Sequence, residues 1–197
     1  MTDATFGCRC GKVAGRIEAI EAPRGNRIVC YCKDCRAFAR ACGGHALDEA
    51  GGTELYQTTI GKVTIERGEE HLAALRLSSR GPLRWYSSCC DTALANTMPS
   101  PGIPLFSVVV PSLSAGGDLD RALGPVRGSV FTDSATGQPR FAKINGAGMF
   151  LIMLNFARNM LGARRRGEHK RSPLHRDGKP ITEPRTPEGA ERAELYA

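Results

Sequence analysis

Three cysteines crowd into the stretch VCYCKDCRAF, at Cys30, Cys32 and Cys35, and no feature of this 197-residue chain constrains its folding more. Two further clusters repeat the theme: CRCG supplies Cys8 and Cys10, and SSCCDT supplies Cys89 and Cys90. Thiolates are soft donors that hold zinc tetrahedrally at about 2.3 Å, and a C-x-C or C-x-x-C turn presents two donors at once. The triplet therefore reads as one metal site, and the two outlying pairs, brought together across the fold, as another. A site with three protein thiolates keeps one coordination position open, whereas four thiolates close it.

The alternative for eight cysteines is a disulfide framework. The N-terminus MTDATFGCRCGK has no basic segment followed by an apolar run, so no secretory signal is expected. The longest apolar run, AGMFLIML (147–154), is far shorter than the roughly 20 residues a spanning helix needs. A cytoplasmic protein without membrane association is expected, and there clustered cysteines bind metal more often than they pair.

Short aliphatic stretches punctuated by Gly and Pro point to a mainly β fold with antiparallel sheets: KVAGRIEAI (12–20), KVTIERG (62–68), HLAALRLSS (71–79) and PLFSVVVPS (104–112). KDCRAFARAC (33–42) has no breaker before Gly43-Gly44, which predicts a short helix after the triplet. GAGMFLIMLNFARNMLGARRRG (146–167) predicts a longer one. Its apolar residues Phe150, Met153, Leu154, Ala157, Met160 and Leu161 recur at i, i+3, i+4, a stripe expected to pack on the β domain, with a membrane-surface role as the alternative. The chain thus divides into a zinc-binding β domain (1–112), a loop and packed C-terminal helix (113–163), and a basic, Pro-rich tail (164–197) expected to be disordered or loosely draped. From Gly162 onward there are nine Lys/Arg and six Asp/Glu, which leaves +4 of the net +7 on the body. Weak polyanion binding by the tail is compatible with that charge. No aromatics interleave RRRGEHKR to stack bases, so sequence-specific nucleic-acid reading is not expected.

The segments CRCGKV, CYCKDCRAF and WYSSCCDTALANT resemble, in order, three signatures of the glutathione-dependent formaldehyde-activating enzyme and centromere protein V family (CENP-V/GFA). That family reads approximately C-x-C-G, C-H-C-x-x-C-R and F-C-x-x-C-G-T, and the likeness spans Phe6 to Thr97. The resemblance implies a zinc-binding β-tent fold, also used by a small guanine-exchange accessory protein, with two zincs per chain. One is a closed structural zinc held by the first and third segments, matching Cys8, Cys10 and Cys90. The other is an open site on Cys30, Cys32 and Cys35, where a carbon–sulfur lyase reaction on a glutathione-type thiol–aldehyde adduct takes place. Three positions depart from the pattern: Ser87 stands where a cysteine is expected, Tyr31 where a histidine is, and Asp91 where a glycine is. Cys89 is the natural replacement for the missing thiolate. Adjacent side chains in a strand point to opposite faces, so Cys89 and Cys90 can share a metal only if the backbone turns between them.

Other residues carry weaker signals. Arg36 is a candidate to fork onto a substrate carboxylate. Cys42 reads first as a small buried hydrophobe, His45 as an exposed loop histidine, His71 as a satisfied one. Trp85 reads as core and Arg84 as surface, with a site role as the alternative for each. The competing reading for the whole chain is a non-catalytic zinc-stabilised module that binds a protein or an anionic partner.

Overall fold

The computed structural model describes residues 2–20, 24–115 and 118–197. Thirteen strands are present among them: β1 Thr2–Gly7, β2 Ala14–Ile20, β3 Asn26–Cys30, β4 Thr53–Thr59, β5 Val63–Arg67, β6 Leu72–Arg76, β7 Leu83–Ser87, β8 Thr92–Thr97, β9 Leu105–Val109, β10 Leu113–Ala115, β11 Ser129–Val130, β12 His175–Arg176 and β13 Lys179–Pro180. The helices are α1 Lys33–Ala41, α2 Leu119–Leu123, α3 Gly146–Arg165 and α4 Gly189–Tyr196.

The strands form a four-stranded sheet in the order β10-β1-β2-β5 and a seven-stranded sheet in the order β11-β3-β4-β9-β8-β7-β6, with β12 and β13 a separate hairpin. Every pairing is antiparallel except β11 against β3. The fold is therefore mainly β with antiparallel sheets, as the punctuated strand pattern predicts.

Period-two alternation sorts the large sheet into two buried faces. Tyr56, Trp85, Leu94, Phe106 and Val108 face the small sheet, meeting Phe6, Ile17 and Val63. Leu55, Leu75, Ala93 and Val109 face the opposite way, with Phe38 of α1 and Ile152 of α3. The described chain thus stacks the small sheet, the large sheet and a layer containing α1 and α3, while α2 packs Leu123 into the inter-sheet core beside β10. The close approach of β1 and β2 needs Gly15, where a Cβ would sit 2.4 Å from the Phe6 ring.

Three expectations change. The stripe of α3 does not pack on the sheet. Ile152 and Ala163 are the buried residues of that helix, while Phe150, Met153, Leu154 and Leu161 are exposed. The polar residues decide the orientation: Asn155 reaches the Arg24 carbonyl at 3.1 Å and Asn26 Oδ1 at 3.0 Å, and Asn159 also donates to the Arg24 carbonyl. Residues 164–197, expected as a loose tail, are packed along the body. Leu174 is buried in the inter-sheet core, and buried Glu168 accepts from Thr59 Oγ1 at 2.6 Å. Arg185 bonds the backbone of Ala74 and Arg76, covering the open edge of β6. Few large apolar groups are needed: Leu174, Ile181, Leu195 and Tyr196 pack on the two cores, and backbone pairing and buried polar contacts add to them. Nor does the β region end at Ser112, since β10 pairs with β1 and β11 with β3.

Candidate metal centres

The loop between β1 and β2 carries Cys8 and Cys10. It closes with Cys8 N–H on the Val13 carbonyl at 3.1 Å and Gly11 N–H on the Cys8 carbonyl at 2.9 Å. The turn between β7 and β8 carries Cys89 and Cys90. Its last residue, Asp91, adopts φ +49°, the left-handed conformation that turns the chain and that glycine adopts without cost. That turn lets neighbouring residues converge: the sulfur atoms of Cys8, Cys10, Cys89 and Cys90 all lie within 4.8 Å of one another. Three of the separations are 3.5 Å (Cys8–Cys10), 3.8 Å (Cys8–Cys89) and 3.3 Å (Cys10–Cys89). The edge of a tetrahedron with zinc–sulfur bonds of about 2.3 Å is about 3.8 Å, so the cage has the size a thiolate-bound metal requires. All eight cysteines are free thiols.

The surroundings of this cage favour the thiolate at Cys8 and Cys90 and oppose it at Cys89. Cys8 Sγ accepts from the Val13 amide at 3.2 Å. Burial opposes its ionisation, yet this bond and those from neighbouring thiols hold its pKa below the ordinary thiol value. Cys90 is brought down to about 5 against burial by hydrogen bonds from Ser87 and Thr92. Cys89 is pushed up to about 12 by burial and by the thiols beside it. Ser87 therefore does not replace the missing thiolate as a donor. Its hydroxyl lies 3.5 Å from Cys90 Sγ and accepts the Thr92 amide, bracing the turn while Cys89 supplies the fourth sulfur.

The second centre stands on the helical side of the large sheet. Cys30 ends β3, Cys32 caps α1, and Cys35 lies in its first turn, accounting for the C-x-C-x-x-C spacing. Cys32 Sγ accepts the Cys35 amide at 3.3 Å, placing it where a helix N-terminus favours negative charge. The three sulfurs lie within 4.8 Å of one another, and no fourth Cys, His, Asp or Glu joins them among the described residues. Sharing protons across the cluster settles the charge on Cys32: bonds from Cys30 and Cys35 bring it down to about 2, while Cys30 is raised by the same contacts. On Cys35 the bond to Cys30 pulls downward but is outweighed by Cys32 and burial. Cys32 is half-buried; Cys30 and Cys35 are buried.

Arg84 is the residue whose place the sequence leaves open. It is 4 % exposed, donates to Asn96 Oδ1 at 3.0 Å and to Cys35 Sγ at 3.5 Å, and lies over the Phe38 ring. No carboxylate is within salt-bridge distance of it among the described residues, and its Nε has no partner there. A guanidinium buried this deeply needs compensating negative charge, and the nearest source is the thiolates of Cys35 and Cys32, which raise its pKa against desolvation. Both the donor set and this buried cation fit an anionic metal–thiolate centre. The signal was available in β7, where Trp85 faces the inter-sheet core and donates to Thr97 Oγ1 at 2.8 Å. Alternation then turns Arg84 toward the face that α1 covers.

The remaining candidates fall elsewhere. Arg36 is buried with its guanidinium on the Ser134 carbonyl at 2.6 Å, so it anchors a neighbouring turn. Tyr31 points away from the triplet, its hydroxyl donating to Asp48 Oδ2 at 2.7 Å. Cys42 is 2 % exposed and its pKa is pushed to about 12 by burial, in keeping with an inert core thiol. His45 is exposed, 2.7 Å from the Arg9 guanidinium, which also donates to the Cys90 carbonyl. His71 lies beside Glu70 at the surface.

The family model described as "Family of unknown function (DUF6151)" matches residues 2–185. Three chains of solved structures match. One, a crystal structure of a Rhodobacter sphaeroides protein from a structural-genomics programme, is 20% identical, covers 62% of this chain and 96% of its own, and gives a TM-score of 0.42. No curated protein matches. With nearly its whole length matched by that model, the chain belongs to the DUF6151 family.

Proposed function

We propose that the two cysteine clusters hold zinc, and that the triplet is an open site for carbon–sulfur chemistry on a thiol–aldehyde adduct of glutathione type. The observation that carries this reading is the convergence of three sulfur donors, without a fourth protein donor among the described residues, beside a buried cation. Zinc bound to three thiolates supplies an open position that favours the thiolate form of a substrate thiol, as nucleophile in one direction and leaving group in the other. Cys30, Cys32 and Cys35 would hold it. Arg84 offsets their charge, and Asn96 fixes the guanidinium in place. The α1 N-terminus adds a favourable potential for an anionic group at Cys32. The four-cysteine cage has no open position and serves as a staple between the small sheet and the β7–β8 turn.

A second reading draws on the burial of Cys30 and Cys35 and on α4, which is laid along α1 with Tyr196 Oη donating to Asp34 at 2.7 Å. Such enclosure suits a purely structural triplet in a binding module. NMR exchange between free glutathione and its formaldehyde adduct separates the two. Zinc-loaded wild type is expected to accelerate the exchange and Cys32→Ser to abolish the acceleration. No acceleration by the zinc-loaded wild type would overturn the enzymatic reading and leave the module.

A further inference from the structure

Helix α3 turns toward solvent the stripe that its sequence would bury. Phe150, Leu151, Met153, Leu154 and Leu161 are 44–67% exposed. With 3.6 residues per turn, Phe150, Leu154, Ala157 and Leu161 fall within about 60° of one another on the helix circumference, on the side opposite Ile152. A contiguous set of large apolar side chains on a single surface helix is a feature that marks interaction sites.

The charges beside the stripe say what kind of surface would cover it. Counting around the same helix, Arg158 and Arg165 lie on one flank of the stripe and Arg164 on the other, and the 20 residues of α3 contain no Asp or Glu. On the Arg158 flank a cleft of about 500 Å³ opens, lined by Arg24, Lys62, Arg158 and Arg166 together with Asn155 and Asn159. An apolar stripe with cations on both flanks matches the layering of an anionic bilayer, where hydrocarbon lies below a plane of phosphates. A second copy of the same helix offers no carboxylate to those arginines. No helix among the described residues is long and apolar enough to cross a membrane, so the geometry is that of a helix lying in the surface.

We propose that α3 is an interfacial helix, which seats Phe150, Leu154 and Leu161 in the outer hydrocarbon of an anionic membrane while Arg158, Arg164 and Arg165 engage lipid phosphates. The cleft beside Arg158 receives a headgroup. The inference stands apart from the chemistry proposed for the cysteine triplet, since none of these residues belongs to it.

Co-sedimentation of the full chain with vesicles tests it, using phosphatidylcholine alone and phosphatidylcholine mixed with phosphatidylglycerol. Binding to the mixed vesicles is expected, weakening as salt rises and much weaker on phosphatidylcholine alone. Leu154→Ser/Leu161→Ser and Arg158→Glu/Arg165→Glu, all at exposed positions, should each reduce binding about tenfold or more with unchanged circular dichroism and metal content. Failure to bind either vesicle overturns the proposal. So does binding that the apolar double variant leaves intact, which would mark simple adsorption of a basic protein. A concentration-dependent dimer abolished by Leu154→Ser, seen by sedimentation velocity without vesicle binding, would assign the stripe to a second copy.

Discussion

Asp91 shows how one backbone angle assembles a four-donor cage. Its φ of +49° closes the turn that points Cys89 and Cys90 at the same centre, in the position where the resembled pattern has glycine. Asp91→Gly is expected to be neutral or to stabilise by up to about 1 kcal/mol. Asp91→Val should cost about 1–2 kcal/mol, because a β-branched side chain resists the left-handed region. Thermal unfolding of the metal-loaded proteins measures both. At the other centre, Arg84→Met removes the cation beside Cys35 while keeping much of the side-chain volume. Metal affinity at the triplet should fall about 10–100-fold, as for other partners that orient or balance ligands, with the four-cysteine site unaffected. Competition against a chromophoric chelator reads this directly, and equal affinities in the two proteins would remove Arg84 from the account.

At the scale of elements, the sequence was legible where spacing is rigid and opaque where packing decides. Helix α1 and the C-x-C-x-x-C cluster could be read because a chelating turn and a helix start impose local spacing. β2, β5 and β6 could be read as short aliphatic stretches bounded by Gly, and β9 as an apolar run between Pro104 and Pro111. β3 and β4 went unread: every residue of β3 is buried, including Asn26 and Arg27, so no alternation shows. The face that α3 presents to the sheet was also illegible, since Asn155 and Asn159, not its leucines, supply the anchoring contacts. Helix α4 was hidden by composition. GAERAELY carries three charges in eight residues and one large aliphatic side chain, and its docking combines Leu195 and Tyr196 against the core with hydrogen bonds from Tyr196 to Asp34, Arg40 to the Leu195 carbonyl, and Arg192 to the Leu77 carbonyl. Deleting residues 186–197 removes these contacts and bares the outer face of α1. Two to three kcal/mol of lost stability would lower the melting temperature by about 4–12 °C in a chain of this size. An unchanged melting temperature would mean that the helix does not hold α1 in solution.

At the scale of the whole molecule, metals in the two cysteine clusters would reinforce junctions that hydrogen bonds already begin: across the first, Arg9 donates its amide to Thr92 Oγ1 and its guanidinium to the Cys90 carbonyl, each at 3.1 Å. The first links the β1–β2 loop of the small sheet to the β7–β8 turn of the large one, and the second fastens α1 to β3. Metal-bound thiols must be deprotonated, so lowering the pH returns protons to the sulfurs and releases the metal. Stability contributed by metals bound at these clusters would therefore be present at neutral pH and lost on acidification. Chelator at neutral pH should reproduce the acid-induced loss, and denaturation curves with and without chelator at several pH values check that equivalence. Curves that respond to acid but not to chelator would separate acid unfolding from metal release.

The central claim is that the triplet holds a metal of its own, separable from the one that staples the sheets. Elemental analysis of metal per chain, on wild type and on Cys32→Ser, with thermal unfolding of both, tests it most directly. Two zinc ions in wild type, one in the variant and a small change in melting temperature are expected. A single ion in wild type, or collapse of the fold on losing Cys32, would contradict the claim and make the triplet part of the scaffold.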